Sequence, residues 1–421
     1  MAAGIAIGID LGTSGARAAL VDGAGVQIAF TAVPMPHGQS DEPDAWFRCV
    51  AGALDRLGAE APLDGMRAIA VAGTSGTLVA VDAYGGAVGS AALYNAPAAP
   101  DHVDAVARTA PAASPARGAA SPLAKALALQ ARPAVARLLH QADWIAGRLL
   151  GAWRWGDENN ALKTGYDPVL RCWPEWLADI GLDLRLLPEI VPPGTPLGRV
   201  DLPLAARFGF APDAEVVAGT TDGCASFLAA GAREPGDGVT ALGSTLVLKI
   251  ACDRPITAPE YGIYSHRVGG IWLAGGASNT GGAALARHFD GAALAALSAR
   301  IDPAQPSGLD FYPLPGPGER FPVADPGQAP REAPRPADDA DFLHGLLEGI
   351  ARVEALGYRR LAELGAPPLR SVRSVGGGAR NAVWSEIRAR LLGVTMLPAG
   401  SEEAAVGAAA LALGVVRGSQ A

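Results

Sequence analysis

Two aspartates in turns rich in glycine and hydroxyl groups are the residues best suited to chemistry. Asp10 ends an apolar run within "GIDLGTSGARAALVD" (residues 8–22) and is followed by Gly12, Thr13 and Ser14. Glycine turns of this kind wrap phosphates, because backbone N–H groups converge there and no Cβ obstructs the approach. A carboxylate beside such a phosphate can hold Mg²⁺, directly or through water. The alternative is a tight hairpin in which Asp10 is only a turn residue.

The second aspartate, Asp222, lies in "VVAGTTDGCASFLAAGA" (residues 216–232). The pattern predicts a strand, a short Gly-Thr-Thr segment and a helix of small residues. Asp222 would then lie in the first turn of the helix, where the helix dipole favours the ionised carboxylate. Such a carboxylate can accept the proton of a hydroxyl group that attacks phosphorus. The alternative is a helix cap with no chemical role.

An internal repeat indicates a second phosphate turn. "LGTSGARAALVD" (11–22) and "LGSTLVLKIACD" (242–253) align without gaps, and each predicts a β-hairpin. The second turn consists of Gly243, Ser244 and Thr245, and Ala241 stands where the first copy has Asp10. The repeat predicts two related domains whose turns grip a polyphosphate across a cleft, with the carboxylate on one side only.

A third motif, "SVGGGARNAVWSEIRARLLG" (residues 374–393), predicts a strand, a glycine turn and a helix. Gly376, Gly377 and Gly378 would let a flat nucleotide lie against the backbone. Asn381 and Trp384 are candidates for contact with an adenine ring, although Asn is also a common helix cap and Trp384 also fits a core stripe. The absence of GxxxxGK[ST] excludes a Walker-type site. The absence of GxGxxG after the first strand disfavours a dinucleotide fold.

The elements that must position these residues predict an α/β protein with helices on the faces of mixed sheets. Three strands are expected within residues 4–33, a helix at 43–57 and a helical stretch at 123–150. The polar segment "GDENNALKTGYD" (156–167) is expected to be turn-forming, in a surface or cleft position. Residues 231–238 are the candidate domain boundary, and the Pro-rich residues 313–340 are expected to be irregular and mobile.

Composition limits the function classes. The chain has 421 residues, so two domains are expected, and its net charge of −8 disfavours a nucleic-acid surface. Its apolar runs are too short to span a membrane. The four cysteines show no CxxC pairing and indicate free thiols. The beginning of the sequence does not resemble a signal peptide, so a cytoplasmic location is expected.

Taken together, the motifs resemble the FGGY carbohydrate kinases of the actin, Hsp70 and hexokinase ATPase superfamily. GIDLGTSGAR resembles the first phosphate motif of the family, GTTDG with ALGSTLV the second, and SVGGGARN the adenosine motif. QADWIAGRLLG, GGASNTGG, PGPGER and SEEAAVGAAALA follow in family order. The resemblance implies two ribonuclease-H-like domains, residues 1–234 and 235–421, that close on ATP·Mg²⁺ and a sugar in an interdomain cleft.

The resemblance also implies residue roles. Asp10 would serve metal and substrate, Asp222 would be the catalytic base and a substrate contact, and Ser75, Asn160 and Lys163 would line the sugar pocket. The segments DLGTSGAR, ENNALKTGYD and GGASNTGG are most similar to compact plant and cyanobacterial D-ribulose kinases. The implied reaction is phosphorylation of D-ribulose at its terminal primary hydroxyl. One departure weakens the transfer of sugar specificity: Tyr94 and Asn95 are followed by Ala96 and Pro97 instead of a charged residue.

Several alternatives stay open at the level of sequence. The substrate could be D-xylulose or another ketose or polyol. A nucleotide-gated binding protein of the Hsp70 or actin type, or a sugar-binding regulator without turnover, would share the phosphate turns. For Lys163, a solvated surface lysine is the alternative. A homodimer is also compatible with the sequence.

Overall fold

The computed structural model describes residues 5–418, with side chains for residues 5–414. The chain separates into two compact units. Unit 1 comprises the residues up to Ala229, His266–Gly270 and the residues from Glu403 onward, and unit 2 comprises Ala230–Ser265 and Ile271–Glu402. The domains expected from sequence, 1–234 and 235–421, differ from these units in residues 230–234, which belong to unit 2, and in residues 266–270 and the C-terminal helix, which belong to unit 1. Their first four and last three residues lie outside the described part.

The strands and helices are assigned here in chain order. The strands are β1 (Ile5–Gly12), β2 (Gly15–Val21), β3 (Gln27–Pro34), β4 (Met66–Gly73), β5 (Leu78–Val81), β6 (Arg137–His140), β7 (Trp155–Asp157), β8 (Glu189–Val191), β9 (Pro196–Arg199), β10 (Glu215–Thr221), β11 (Asp237–Leu242), β12 (Leu246–Cys252), β13 (His266–Val268), β14 (Ile271–Ser278), β15 (Ser371–Val375) and β16 (Thr395–Leu397). The helices are α1 (Pro43–Glu60), α2 (Pro100–Thr109), α3 (Pro122–Leu129), α4 (Gln141–Leu150), α5 (Glu158–Ala161), α6 (Trp176–Asp179), α7 (Leu202–Phe208), α8 (Asp222–Ala229), α9 (Gly282–Leu285), α10 (Gly291–Ser298), α11 (Asp339–Glu363), α12 (Ala382–Leu392) and α13 (Ala404–Gly418). Short 3₁₀ turns occur at Leu162–Thr164, Leu184–Leu186, Pro259–Tyr261 and Gly377–Arg380.

The main sheet of unit 1 is mixed, with strand order β3-β2-β1-β4-β10-β9. The first three strands form an antiparallel meander, β1 pairs with β4 in parallel, and β4 pairs with β10 in parallel. Apolar residues on one face of the sheet pack against α1 and α4, where Trp46 and Trp144 are fully buried. This arrangement confirms the predicted α/β class for unit 1.

The opposite face of this sheet is built from very small residues, which allow α13 to approach closely. A Cβ placed on Gly8 of β1 would lie 1.9 Å from the carbonyl oxygen of Ala405 and 2.2 Å from the amide nitrogen of Ala409. Ala72, Ala225, Ala404 and Ala408 form a buried cluster on the same side. Only glycine at position 8 permits this contact between the first strand and the last helix.

Five strands of unit 2 repeat the same pattern, in the order β14-β12-β11-β15-β16. Strand β12 pairs with β14 and with β11 in antiparallel orientation, whereas β15 pairs with β11 and with β16 in parallel orientation. The core forms against α11, which buries Phe342, Leu346 and Ile350. The two hairpins that align in sequence are therefore β1–β2 and β11–β12, at equivalent places in the two sheets.

The prediction of helix throughout residues 123–150 is wrong in its middle part. Helix α3 ends at Leu129, and β6 follows before α4 begins at Gln141. Pro133 cannot continue the hydrogen bonding of a helix. Residues 137–140 instead pair with β5, where Leu138 joins a second apolar cluster of unit 1.

The cysteines and the apolar helices agree with expectation. All four cysteines are free thiols, and Cys172 is the exposed one. Within the described residues, no helix combines the length and the hydrophobicity needed to cross a bilayer.

Candidate active site

Three chain segments end together at one edge of the unit 1 sheet. Because β1, β4 and β10 run parallel, their carboxyl ends meet at the same edge. The register places Ala72 of β4 beside Asp10 on one side and Thr220 on the other. The β1–β2 turn, the turn after Gly73 and the start of α8 therefore lie in a row. Asp10 and Asp222, far apart in sequence, are two strands from each other.

Asp10 is a buried carboxylate in an unfavourable electrostatic environment. It is 8% exposed, and the Nη1 atom of Arg17 donates a hydrogen bond to its Oδ2 at 3.2 Å. Burial and the negative charge of Asp222 raise the pKa of Asp10 to about 6, and Arg17 only partly offsets them. A cation bound here would relieve this repulsion, so the residues fit Mg²⁺. No cluster of three or more acidic, His or Cys side chains suited to a metal occurs in the described part.

Asp222 is the first residue of α8, as the sequence predicts. Its Oδ1 accepts a hydrogen bond from the amide of Gly223 at 2.6 Å. The N-terminal position favours the ionised form of the carboxylate. The structure therefore brings the carboxylate of Asp222 close enough to Asp10 for its charge to act on Asp10.

The first phosphate turn is a tight hairpin between β1 and β2. Gly12 pairs with Gly15 across the turn, and the intervening Thr13 and Ser14 are exposed. Gly15 has φ of +142°, and a Cβ there would lie 2.2 Å from the carbonyl oxygen of Val33. The turn therefore presents two hydroxyl side chains to solvent on a backbone that glycine permits.

The sugar-pocket candidate Ser75 lies in a turn that neighbouring side chains fix in place. Ser75 Oγ is buried and has no hydrogen-bond partner among the described residues. Gly76 has φ of +97°, and a Cβ there would approach Cγ of Pro122 to 2.8 Å and Cδ of Lys163 to 3.9 Å. The structure thus brings Ser75 and Lys163 to the same side of this turn.

The segment around Asn160 is deeply buried, so its surface alternative is wrong. Asp157 caps α5 by accepting the amides of Asn159 and Asn160, and it also accepts a hydrogen bond from Asn160 Nδ2 at 2.6 Å. Burial and the neighbouring Asp143 raise the pKa of Asp157 to about 8. Asn160 is 0% exposed, and its Oδ1 has no partner within the described chain. An acceptor of this kind is available to a ligand hydroxyl.

Unit 2 contains a cavity of about 550 Å³ at the third motif. Gly377, Gly378, Asn381 and Trp384 line it together with Gly243 of the second phosphate turn. Its other walls are mainly apolar and come from α9 and α10: Leu285, Leu294, Ala295, Ser298 and Ala299. The apolar walls and the glycine backbone suit a planar heterocycle.

Asn381 and Trp384 also have structural roles in this cavity wall. Asn381 caps α12 by accepting the amide of Trp384 at 3.0 Å, and its Nδ2 donates to Ser298 Oγ at 2.9 Å. Trp384 is buried, and its Nε1 donates to the carbonyl of Leu347 at 3.0 Å. The side chains of both residues therefore fix the shape of the wall through bonds inside the protein.

The second phosphate turn, 243–245, is held by the start of α9. The amide of Gly282 donates to the carbonyl of Gly243, and the amide of Ala283 donates to the carbonyl of Ser244. Gly243 and Ser244 are exposed, and Thr245 is half-buried. Gly376, at the end of β15, lies against the carbonyl of Leu242, which immediately precedes the turn. All the residues predicted for nucleotide binding in unit 2 therefore lie close together.

A buried ion pair joins the elements that carry the second phosphate turn and the glycine turn of the third motif. Arg388 of α12 donates from Nε and Nη2 to the two carboxylate oxygens of Glu354 at 2.6 and 2.7 Å. Glu354 also accepts from Thr240 of β11, and Arg388 donates to Ser374 of β15. The pair thus connects α11 and α12 with the two strands that lead to the phosphate turn and the glycine turn.

Sequence reasoning missed several residues of these sites. Arg17 follows the first turn within the quoted motif, and its type and spacing could have suggested a partner for Asp10. Lys125 is one of three lysines in the chain, and the structure places it beside the sugar-pocket candidates. The alanine-rich α9–α10 stretch carries no motif, so nothing in its pattern indicated a cavity wall.

The solved structures that this chain resembles define its fold. A xylulose kinase from Rhodospirillum rubrum superposes with a TM-score of 0.83 at 25% identity, covering 98% of this chain and 90% of that structure. A Plasmodium falciparum glycerol kinase with ADP gives a TM-score of 0.84 at 14% identity over 99% of this chain and 90% of that one, which shows the fold alone. The chain has the two-domain α/β fold of the actin and hexokinase superfamily, as the motifs predicted.

The sequence comparisons match part of the chain to one family and nearly all of it to sugar kinases. Residues 243–414 match the model of the C-terminal domain of the FGGY family of carbohydrate kinases. A xylulose kinase from Streptomyces rubiginosus is 29% identical over 458 residues, covering 98% of this chain and 88% of that protein. Residues 243–414 therefore resemble the C-terminal domain of a carbohydrate kinase, and the chain over nearly its whole length is similar to xylulose kinases.

Proposed function

We propose that this kinase transfers the terminal phosphate of ATP to the terminal primary hydroxyl of a pentulose, with D-ribulose as the first candidate. The observation that carries the proposal is the row of Asp10, the Ser75 turn and Asp222 along one edge of the unit 1 sheet. This row supports the proposal, because Asp222 as the base, Asp10 as the carboxylate for the metal and Ser75 as a sugar contact would then act within one site.

In the proposed reaction, Asp222 accepts the proton of the attacking hydroxyl. A bond forms between the sugar oxygen and the γ-phosphorus, and the bond from that phosphorus to the β,γ-bridging oxygen breaks, which leaves ADP. Ser75 and Asn160 orient the sugar through its other hydroxyls. Thr13, Ser14 and the backbone of the two glycine turns bind phosphate oxygens.

Asp10 is the residue proposed to hold Mg²⁺, whose chemistry is to offset the negative charge of the transferred phosphate. Its buried carboxylate is destabilised by Asp222, and Arg17 lies beside it. Arg17 neutralises part of the charge of Asp10 in the protein described here. The carboxylate is therefore kept available in an environment that favours a cation.

D-xylulose is the second candidate substrate, because the Streptomyces rubiginosus relative and the Rhodospirillum rubrum structure, which each cover 98% of this chain, are named xylulose kinases. The two sugars differ in the orientation of one hydroxyl. The sequence departs from the family pattern at the segment of Tyr94 and Asn95. Contacts of this segment with the sugar could distinguish the two orientations of that hydroxyl.

The experiment is ADP release from ATP in the presence of a panel of ketoses and glycerol. The panel contains D-ribulose, D-xylulose, L-ribulose, sedoheptulose and fructose. We expect one pentulose to be preferred by at least about tenfold in kcat/KM, and Asp222→Ala to lower kcat by about 10²- to 10⁴-fold as general-base loss does. The affinity for ATP should stay nearly unchanged in a calorimetric titration.

Asp213→Ala is the matched control, because Asp213 is an exposed aspartate that precedes β10 and pairs with Arg67. It should turn over like the native enzyme. ADP release that ignores every sugar and survives Asp222→Ala would contradict the proposal and favour a nucleotide-switch protein.

A further inference from the structure

The turn that carries Ser75 is fixed by a directional chain of hydrogen bonds. The amide and the hydroxyl of Thr74 both donate to Oε1 of Gln141, at 3.0 and 2.8 Å. The hydroxyl of Thr77 lies 2.7 Å from that of Thr74, and it must be the donor because the Thr74 hydrogen is already used. Thr77 Oγ1 then accepts the amide of Tyr94 at 3.0 Å. The chain therefore links the Ser75 turn to the segment of Tyr94.

Lys125 holds the same segment from its other end. Its Nζ donates to the carbonyl of Leu93 at 2.7 Å and to that of Tyr94 at 3.2 Å. The amide of Tyr94 is thus bound by Thr77 and its carbonyl by Lys125. We call the residues of this chain, Thr74, Thr77, Tyr94, Lys125 and Gln141, the Tyr94 clasp.

The charge of Lys125 lies in an environment that destabilises the folded protein. It is 4% exposed, no carboxylate pairs with it in the described part of the chain, and the ammonium of Lys163 on the adjoining Leu162–Thr164 turn repels it. A buried charge is costly when carbonyl groups are its only partners. An apolar side chain of similar length would fill the same space without this cost.

We propose that Lys125 is a positioning residue for sugar recognition: its ammonium fixes the Leu93–Tyr94 backbone as the wall of the sugar pocket that faces the Ser75 turn. This inference rests on the proposed function, because it assigns the sugar to this part of unit 1. Lys125 does not touch the reacting atoms. It acts through the backbone that it holds, so it should influence which sugar binds more than how fast phosphate transfers.

The test compares Lys125→Met with Lys125→Arg in the full chain, and Lys249→Met, a lysine on β12 of unit 2, is the matched control. We expect Lys125→Met to raise the KM for the preferred sugar at least tenfold, with kcat and the KM for ATP within about twofold of native. The melting temperature should be equal or higher. Lys125→Arg, which keeps the charge and the donors, should recover most of the sugar affinity, and Lys249→Met should behave as native.

Hydrogen exchange of a peptide spanning residues 91–96 provides a readout that needs no turnover. Lys125→Met should speed exchange at the amide of Tyr94 at least fivefold, and exchange in unit 2 should not change. If the native enzyme phosphorylates no sugar while this exchange effect appears, the proposed function fails and the clasp stands. An unchanged KM for sugar in an active Lys125→Met variant would overturn the inference. So would a fall in melting temperature accompanied by equal losses in kcat for every substrate.

Discussion

At the scale of single residues, the carboxylate of Asp10 combines a functional position with an energetic cost to the fold. Burial and Asp222 raise its pKa to about 6 from 3.8. This rise in pKa corresponds to roughly 3 kcal/mol by which the ionised carboxylate lowers the free energy of unfolding. The free protein would therefore be more stable with a neutral group at this position of the phosphate turn.

We therefore expect Asp10→Asn to raise the melting temperature at pH 7.5 and to abolish most of the activity. Between pH 3.8 and 6 the native state binds the proton that the unfolded state has released. The destabilisation by Asp10 is therefore complete above pH 6 and fades as the pH falls towards 4. The gain from Asn should shrink over the same range, as measured by thermal unfolding at several pH values.

Asp22→Asn is the control, because Asp22 accepts the amides of Ala24 and Val26 in the β2–β3 turn and Asn can do the same. It should leave the pH dependence of the melting temperature unchanged. A lower melting temperature for Asp10→Asn at pH 7.5 would show that the ion pair with Arg17 outweighs the burial of the charge.

The functional residues that lie in short turns were the easiest to predict from the sequence. Asp10, Asp222 and the three glycine turns follow from local sequence, because turn geometry and helix capping depend on neighbouring residues. Lys125 and Gln141 were not predictable in the same way. Their partners Leu93, Tyr94 and Thr74 lie 31 to 67 residues away, and only the folded chain brings them together.

At the scale of elements, the Pro-rich loop at residues 313–340 is irregular, as predicted, but one buried carboxylate anchors it. Glu319 accepts hydrogen bonds from Ser278 Oγ at 2.6 Å, the amide of Asn279 at 2.8 Å and the hydroxyl of Tyr312 at 3.0 Å. Ser278 Oγ in turn accepts the amide of Thr280, whose carbonyl accepts the amide of Leu246. The loop is thus connected to the strand that follows the second phosphate turn.

We expect Glu319→Gln to weaken ADP binding by on the order of tenfold, because the loss of charged hydrogen bonds is worth about 1.5–3 kcal/mol. The amide of Gln can accept through one oxygen only, so the start of α9, which holds the turn at 243–245, would loosen. Calorimetric titration with ADP measures this effect.

Asp325→Asn is the control in the same loop, since Asp325 is exposed and accepts the amide of Gly327. Its affinity for ADP should equal that of the native protein. Equal affinities for Glu319→Gln and the native protein would show that the loop does not influence the phosphate turn.

Elements were predicted well where periodicity was strong and poorly where tertiary pairing decided the structure. The hairpins, α1 and α12 follow from local patterns. Residues 137–140 form a strand because residues 78–81 are available to pair with them, and the residues that precede β6 contain no signal of this partner. The polar segment around Asn160 is buried because Asp157 and its neighbours satisfy one another, which polarity alone does not indicate.

At the scale of the whole molecule, the division of the chain depends on the contact between β1 and α13 in unit 1. The sequence placed the C-terminal helix in the second domain, because the family motifs follow one another along the chain. In the structure, the residues from Glu403 onward belong to unit 1. A helix made mostly of alanine and glycine has no distinct hydrophobic stripe. The sequence of α13 therefore did not indicate the surface against which the helix packs.

Gly8→Ala tests this contact, since its Cβ would overlap the backbone of Ala405. Overpacking of this kind typically costs about 1–3 kcal/mol. We expect faster hydrogen exchange in β1 and α13, with exchange in unit 2 unchanged. Gly52→Ala in α1 is the control, because its Cβ would meet only Val33 at ordinary contact distance and alanine favours a helix. Equal exchange in Gly8→Ala and native protein would contradict the close approach.

The return of α13 to β1 also has a consequence for biosynthesis. Gly8 leaves the ribosome about 400 residues before Ala409, a delay of roughly 20 to 80 seconds at ordinary translation rates. During that interval the Gly- and Ala-rich face of the first sheet has no cover, whereas every residue of unit 2 has already been synthesised when Glu403 is added. The unit whose first strand is made at the start of translation is therefore the unit whose last helix is made at the end, so its folding can be completed only after the C-terminal helix has been synthesised.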